Sequence, residues 1–386
     1  MPASPWRAPT GGGSVKLSVK DLGLGGKRVF MRTDLNVPLA QGRITDDTRI
    51  RAALPTIQHC LGARASVVLA SHLGRPNGAP DPRYSLAPVA QRLGDLLGRS
   101  VPLAPDCVAN ATLLQARALN PREPLLLENL RFYPGEEGND REFARALGQM
   151  ADCYVNDAFS ASHRAHASLV GITRFLQPAA AGLLLQREVE ALGRILDRPE
   201  RPLAAILGGA KVGDKLALVE NLLTRAEILL IGGGMAFTFL KAQGYTVGRS
   251  LVEDGLLMKA SELLAIARKR GLRLELPVDV VVGQAPDGEA RGVVPAGEIP
   301  PGLMGLDIGP ASLARFREAL TAARTIVWNG PMGVFERAEF AAGTVELARA
   351  VAASGAFSVV GGGDTVAAIH QAGVEERIGY LSTAGG

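Results

Sequence analysis

Aromatic residues are scarce in this chain, 5% of 386 positions, and cysteines are scarcer still: Cys60, Cys107 and Cys153 lie far apart, each within or beside an apolar stretch. Three scattered thiols build no disulfide framework and match no zinc-site spacing, so reduced core cysteines and a reducing, cytoplasmic compartment are expected. Charge of one sign is lacking as well. A formal net charge of +4, with basic and acidic residues intermixed, leaves no stripe for nucleic acid and no polybasic patch for a membrane surface. No apolar run approaches bilayer-spanning length, and the first fourteen residues lack the apolar core of a secretory signal. With a single arginine among prolines, residues 1–14 read as a flexible leader in preference to a transit peptide.

What is present is an alternation of short β-branched runs with longer stretches of helical spacing, the pattern of parallel βαβ units. A chain of 386 residues exceeds what one core usually supports. The expected fold is therefore α/β: two doubly wound parallel-sheet, Rossmann-like domains joined by a hinge helix, with no internal repeat. Strands are expected at 28–32, 65–70, 124–127 and 153–156 in the first half. In the second they are expected at 203–207, 228–231, 278–282, 325–328 and 357–360. Between them, Leu184, Val189, Leu192, Ile195 and Leu196 recur at helical intervals until Pro199 and Pro202 stop the pattern. The expected division is a leader at 1–14, a first domain at 15–186, a hinge helix at 187–200 and a second domain at 201–386.

In open parallel sheets, ligands sit beyond the carboxyl ends of the strands, where helix N-termini aim free N–H groups at anions. The first-half strand ends carry isolated cations and polar groups: RTDLNVP (Arg32, Asp34, Asn36), SHLGRP (His72, Arg75), ENLRF (Arg131) and NDAFSASHRAH (Arg164, His166), with Arg49 at an expected helix start. A lone arginine is usually a surface ion pair. Several guanidinium forks just past strands form a pocket for a small multivalent anion. A zinc site at His72, His163 and His166 is disfavoured, since neither spacing nor neighbouring cysteine fits one.

The second-half strand ends are glycine-rich instead: LGGAKVGDK, IGGGMAFTF, WNGPMGVFE and VGGGDT. Glycines let a nucleotide approach the backbone, and Lys211 and Lys215 supply point charges for its phosphates. One such loop is as well explained by a tight turn; four are not. Asp364 opens an expected helix, serving as N-cap and as the carboxylate that shares Mg²⁺ with phosphate oxygens. Two better-known nucleotide motifs are missing. Asp214 stands where a Walker A motif requires Lys, and the glycines at 23–26 precede a strand instead of following one, which leaves an NAD-dependent dehydrogenase weakly supported.

Taken together, VFMRTDLNVP, SHLGRP, LLLENLRFYPGEE, NDAFSASHRAHAS, LGGAKVGDKL, IGGGMAFTFLKAQG, LPVDVVV, GLMGLDIGP, IVWNGPMGVFE and VVGGGDT closely resemble the phosphoglycerate kinase family, in order, from about Val15 onward. The resemblance implies a glycolytic, cytoplasmic enzyme that transfers a phosphoryl group reversibly between 1,3-bisphosphoglycerate and MgADP, giving 3-phosphoglycerate and MgATP. It assigns Asp34, Asn36, Arg49, His72, Arg75, Arg131 and Arg164 to the 3-phosphoglycerate pocket. Phosphate contacts fall to Lys211, Lys215, Asn329 and the turn Gly361, Gly362, Gly363, Asp364 and Thr365, with Asp364 as the Mg²⁺ carboxylate. Gly232, Gly233, Met304, Pro331 and Val334 resemble the adenosine slot, and Glu336 looks like the ribose acceptor.

The residue chemistry suits that reaction. An attacking carboxylate is already ionised at pH 7 and needs no general base. Positioning and charge stabilisation suffice, with Arg49, Lys211 and Lys215 as the expected catalytic cations. One ligand per lobe requires closure about the connecting helix. A monomer with no nucleic-acid or membrane partner is expected. The chain ends at YLSTAGG, where the family continues into a further segment, and Ala384 replaces a usual glycine. A truncated nucleotide-binding relative with little catalysis is therefore the alternative expectation.

Overall fold

The structure is a computed structural model and describes residues 17–382. The expected leader and Ala384 lie outside the described residues. The chain divides into two compact units between Glu190 and Ala191.

The first unit is built on a five-stranded parallel sheet in the order Pro124–Leu126, Ser66–Ala70, Arg28–Thr33, Cys153–Asp157, Ala179–Ala181. Its inner strands are buried along almost their whole length, as expected when helices cover both faces. The chain steps outward from Arg28–Thr33 to one edge, then returns to lay Cys153–Asp157 on the opposite side. The order therefore reverses between these two strands, which opens a crevice at their carboxyl ends. The helix Thr48–Gly62 packs Ile50, Ala53, Ile57, Cys60 and Leu61 into the core at helical spacing, and Asp46 Oδ1 accepts from Thr48 N–H at its entrance.

The second unit repeats the plan. Its six-stranded parallel sheet runs Arg273–Glu275, Ile228–Ile231, Leu203–Leu207, Thr325–Asn329, Phe357–Gly361, Tyr380–Leu381, and the order reverses between Leu203–Leu207 and Thr325–Asn329. Both sheets are Rossmann-like. One expected strand is placed differently: 278–282 corresponds to Asp279–Gly283, which lies outside the parallel sheet and pairs antiparallel with Ala290–Pro295 and Met304–Ile308. Its valines are apolar enough for a parallel core, but Gly283 and the following turn send the chain straight back along a mostly exposed partner strand, so a crossover never forms.

The connecting helix spans Leu183–Leu196, starting four residues before 187 and stopping short of Pro199. The three cysteines are free and buried. Burial pushes the Cys60 thiol up to about 12 and the Cys153 thiol to about 11, which leaves little thiolate for nucleophilic or metal chemistry.

Candidate active site

At the crevice of the first unit, Asp34 and Asn36 follow directly from the Arg28–Thr33 strand. The Asp34 carboxylate is nearly buried. It accepts from Asn36 N–H at 3.0 Å, receives the Ser160 hydroxyl and pairs with Arg49 at 3.3 Å. Arg49 also donates to the Asn36 carbonyl at 2.9 Å, so the first turn of the Thr48–Gly62 helix is tied to the strand end. Asn36 Oδ1 in turn accepts from Gly74 N–H at 2.8 Å, and the Gly74 carbonyl accepts from Arg131 at 2.9 Å. The SHLGRP loop is thus gripped from both sides. Arg75, next along it, stands exposed.

His72 sits inside this ring. Burial drives its pKa well below 6.5, and the positive charges of Arg32, Arg131, Arg164 and Arg49 push it further in the same direction. Arg32 lies 3.1 Å from His72 Nδ1. A guanidinium only donates, so Nδ1 is the acceptor and the proton of the neutral ring is on Nε2. Arg164 is half-buried, with Nε 3.2 Å from His163 Nε2. Arg49 and Arg131 have carboxylate neighbours in Asp34 and Glu137, yet the positive charge around this neutral histidine still lowers its pKa, a field that favours an anion.

Sequence reasoning notices Arg32 but does not foresee what holds it. Arg32 is 1% exposed and donates to Ser168 Oγ at 2.9 Å; Ser168 donates to Glu136 at 2.6 Å, and His166 lies 3.7 Å from the same carboxylate. Burial raises the Glu136 carboxyl, but His166, the Arg32 charge and the two Ser168 hydrogen bonds outweigh it and hold the group below 4.5. In the string PGEE, Glu136 reads as a surface acid, and nothing local in the sequence marks it as buried. The predicted site residue Arg131 is also half-shielded: its Nε lies 3.0 Å from Glu137.

In the second unit, Lys215 spans the crevice. Its ammonium donates to the Gly208 carbonyl at 2.7 Å and to the Asn329 carbonyl at 3.0 Å, the ends of the two strands between which the order reverses. Burial lowers its pKa to about 8, partly offset by Asp364 and Asp214. Lys211 stands exposed on the same loop. Glycine is required where these loops touch. Gly233 has φ +63°, and a Cβ there would fall 2.6 Å from Gly209 N; at Gly208 it would fall 2.1 Å from the Pro331 carbonyl oxygen, and at Gly232 2.4 Å from Met332 Sδ.

The Gly361–Thr365 turn closes the site. Asn329 Nδ2 donates to the Gly361 carbonyl at 3.2 Å, and Thr365, buried, accepts from Gly330 N–H at 2.7 Å. Gly362, at φ +94°, starts the helix Gly363–Ala372, and apart from the adjoining backbone nothing among the described residues lies within 4 Å of where a Cβ on Gly363 would stand. The free N–H end of that helix faces open space beside the exposed Asp364. A cavity of about 460 Å³ adjoins it. Gly233, Met304, Pro331, Val334, Glu336 and Asp364 all line it, as do Arg249, Leu251 and Pro286, which carry no motif that sequence reasoning detects. Among the described residues, no group of three or more His, Cys, Asp or Glu side chains is placed to hold a metal ion.

The chain is similar to known proteins over nearly its whole length. A family model described as phosphoglycerate kinase matches residues 19–386. A phosphoglycerate kinase of Moorella thermoacetica is 55% identical over 372 residues, covering 96% of this chain and 94% of its own. A cytosolic phosphoglycerate kinase of Triticum aestivum is 51% identical over 382 residues. Among solved structures, the phosphoglycerate kinase from Coxiella burnetii superposes with a TM-score of 0.85 at 44% identity, covering 96% of this chain and 94% of the other. Matches of this extent favour neither a dehydrogenase nor a curtailed nucleotide-binding relative.

Proposed function

The chain belongs to the phosphoglycerate kinase family, and from that membership we propose that its first unit binds 3-phosphoglycerate or 1,3-bisphosphoglycerate and its second binds MgATP or MgADP. The activity is that of a phosphotransferase with a carboxyl acceptor, within glycolysis. What supports the division of labour is a single observation: each parallel sheet has its own switch-point crevice, one ringed by guanidinium groups and one by glycines and an ammonium.

In the first unit, Arg49, Arg131 and Arg164, with Arg75 on the adjoining loop, meet the phosphate and carboxylate of the triose substrate. Asp34, Asn36 and the His72 Nε2–H fix its hydroxyl and its orientation. In the second, Met304, Pro331 and Val334 flank the adenine, Glu336 accepts from the ribose, and Lys211, Lys215, Asn329 and the Gly361–Thr365 turn receive the phosphates. Asp364 places an exposed carboxylate beside the helix end proposed to bind phosphate. That suits a Mg²⁺ that arrives with its nucleotide and completes its shell with phosphate and water oxygens.

The attacking group is a carboxylate, so no residue has to remove a proton; the work is alignment and stabilisation of charge on the equatorial oxygens. Arg49 and Lys215 are the proposed catalytic cations, with Lys211 beside them. Closure about the Leu183–Leu196 helix brings the ligands end to end and excludes the water that would otherwise accept the phosphoryl group. A cytoplasmic monomer without nucleic-acid or membrane partners fits small substrates on a hinge; no described helix is long and apolar enough to cross a membrane. A coupled assay with ATP and 3-phosphoglycerate tests the reaction, with formation of 1,3-bisphosphoglycerate expected. Scattering with both ligands tests closure, and unchanged dimensions would contradict it.

A further inference from the structure

An α-helix leaves its first N–H groups without intrahelical partners, and the usual remedy is a side chain at the residue just before it. The helix Leu183–Leu196 is preceded by Gly182, which has no side chain to offer. Its entrance is held from far away in sequence. Leu183 N–H donates to Thr56 Oγ1 at 3.0 Å, while Leu184 and Leu185 N–H both donate to Asp157 Oδ1, at 2.9 and 3.1 Å. Thr56 and Asp157 are fully buried, and a Cβ on Gly182 would fall 2.1 Å from Asp157 Oδ1, so the carboxylate occupies the very space a local cap would need.

The carboxylate has an unusual setting for a cap. Its Oδ2 is buried with no hydrogen-bond partner among the described residues. Burial raises its pKa to about 6, against the pull of the Thr56 hydroxyl, the two helix N–H groups and the Arg187 charge. A buried acid that costs stability and is only half satisfied points to a role beyond packing.

Both anchors ride on elements of the anion site. Thr56 belongs to the helix whose first turn carries Arg49. Asp157 ends the strand whose following loop carries Ser160, which holds Asp34, and Arg164. We infer that Thr56 and Asp157 are positioning residues for phosphoryl transfer: they join the Arg49 and Arg164 elements to the start of the connecting helix, so that occupation of the anion site sets the direction in which that helix leaves the first unit. The helix is stiff and about 20 Å long, so a small tilt at Leu183 becomes a displacement of several ångströms at its far end. The inference rests on the two-ligand reading above.

The test uses the full chain with Thr56→Val, Asp157→Ala and Asp157→Asn. Thr56→Val and Asp157→Ala are expected to lower kcat about tenfold, with separately measured dissociation constants for 3-phosphoglycerate and MgATP within about twofold of wild type. The compaction seen by scattering with both ligands bound should shrink in parallel. Asp157→Asn keeps an acceptor at Oδ1 and should restore kcat to within about threefold of wild type. A kcat loss matched by an equal loss of 3-phosphoglycerate affinity would reduce both residues to local scaffolding and overturn the inference. So would an unaffected Thr56→Val, or an Asn variant as impaired as the Ala one. If Asp157→Ala does not fold, the Val and Asn variants decide. A wild-type chain with no turnover overturns the functional reading itself, whereas wild-type turnover with indifferent variants overturns the inference alone.

Discussion

The Lys215 ammonium donates to the Asn329 carbonyl at 3.0 Å, across the point where the order of the second sheet reverses. A lysine placed there stays charged only against the cost of burial, which lowers its pKa from 10.5 to about 8. Its positive charge is therefore nearly complete below about pH 7, half lost at about pH 8 and gone at higher pH. The kcat/KM profile for MgATP is expected to fall with an apparent pKa near 8. In Lys215→Arg that limb should disappear, because a guanidinium keeps its proton, even if the overall rate drops. A limb unchanged in the Arg variant would assign the titration to another group.

Arg49 is held by Asp34 at 3.3 Å and by the Asn36 carbonyl at 2.9 Å, both within the first unit. Arg49→Ala should lower kcat by about 100-fold or more, roughly 3 kcal/mol of transition-state stabilisation. MgATP affinity should change little. Titration calorimetry beside steady-state kinetics separates the two, and equal losses in both would rule out the catalytic role proposed for Arg49.

Much of this was legible in the residues. Runs such as SVVLA, LAAIL and ILLI are so apolar that only doubly covered strands suit them, and the glycine loops and arginines fall just after such runs because that is where a parallel sheet exposes its ends. Other features leave no local signal. Ala179–Ala181 carries nothing β-branched, Arg273–Glu275 is three residues long, and both are strands because a neighbour offers a free edge. The Glu136–Ser168–Arg32 chain and the Thr56–Asp157 anchor join residues distant in sequence, and hydrogen bonds of that kind have no period to read. Whether Arg75 and Lys211, both exposed, reach a ligand depends on what fills the crevices, which no local pattern encodes.

Arg32 adds to the His166 hydrogen bond in holding the Glu136 carboxyl low, and to burial in holding the His72 ring neutral. Replacing it with Met would remove the donor to Ser168 Oγ and a nearby positive charge from the fully buried Glu136, and leaving buried polar groups short of a partner typically costs about 1–3 kcal/mol. Arg32→Met should therefore lower the urea midpoint markedly. The His72 ring, freed of its nearest cation, should titrate at higher pH than in the parent, visible in its imidazole NMR signals. A normal midpoint with an unmoved His72 would mean the pair does not govern either group.

Asp157 offers a test in which stability and pH move together with a sign fixed in advance. Its carboxyl is raised from 3.8 to about 6, so the folded chain holds the proton more tightly than the unfolded one. The stabilisation this gives is complete below about pH 4 and is lost as the pH rises through 6; above that, the buried charge is a standing cost. Asparagine in its place retains the oxygen that accepts from Leu184 and Leu185, and puts an uncharged group where Oδ2 has no partner among the described residues. Asp157→Asn should thus gain on the parent by about 1–3 kcal/mol between pH 4.5 and pH 7.5, the range two pKa units allow. Urea unfolding of both proteins at the two pH values measures it. A difference that does not change with pH would show that the Asp157 proton is not linked to folding, and that the helix entrance is held by its hydrogen bonds alone.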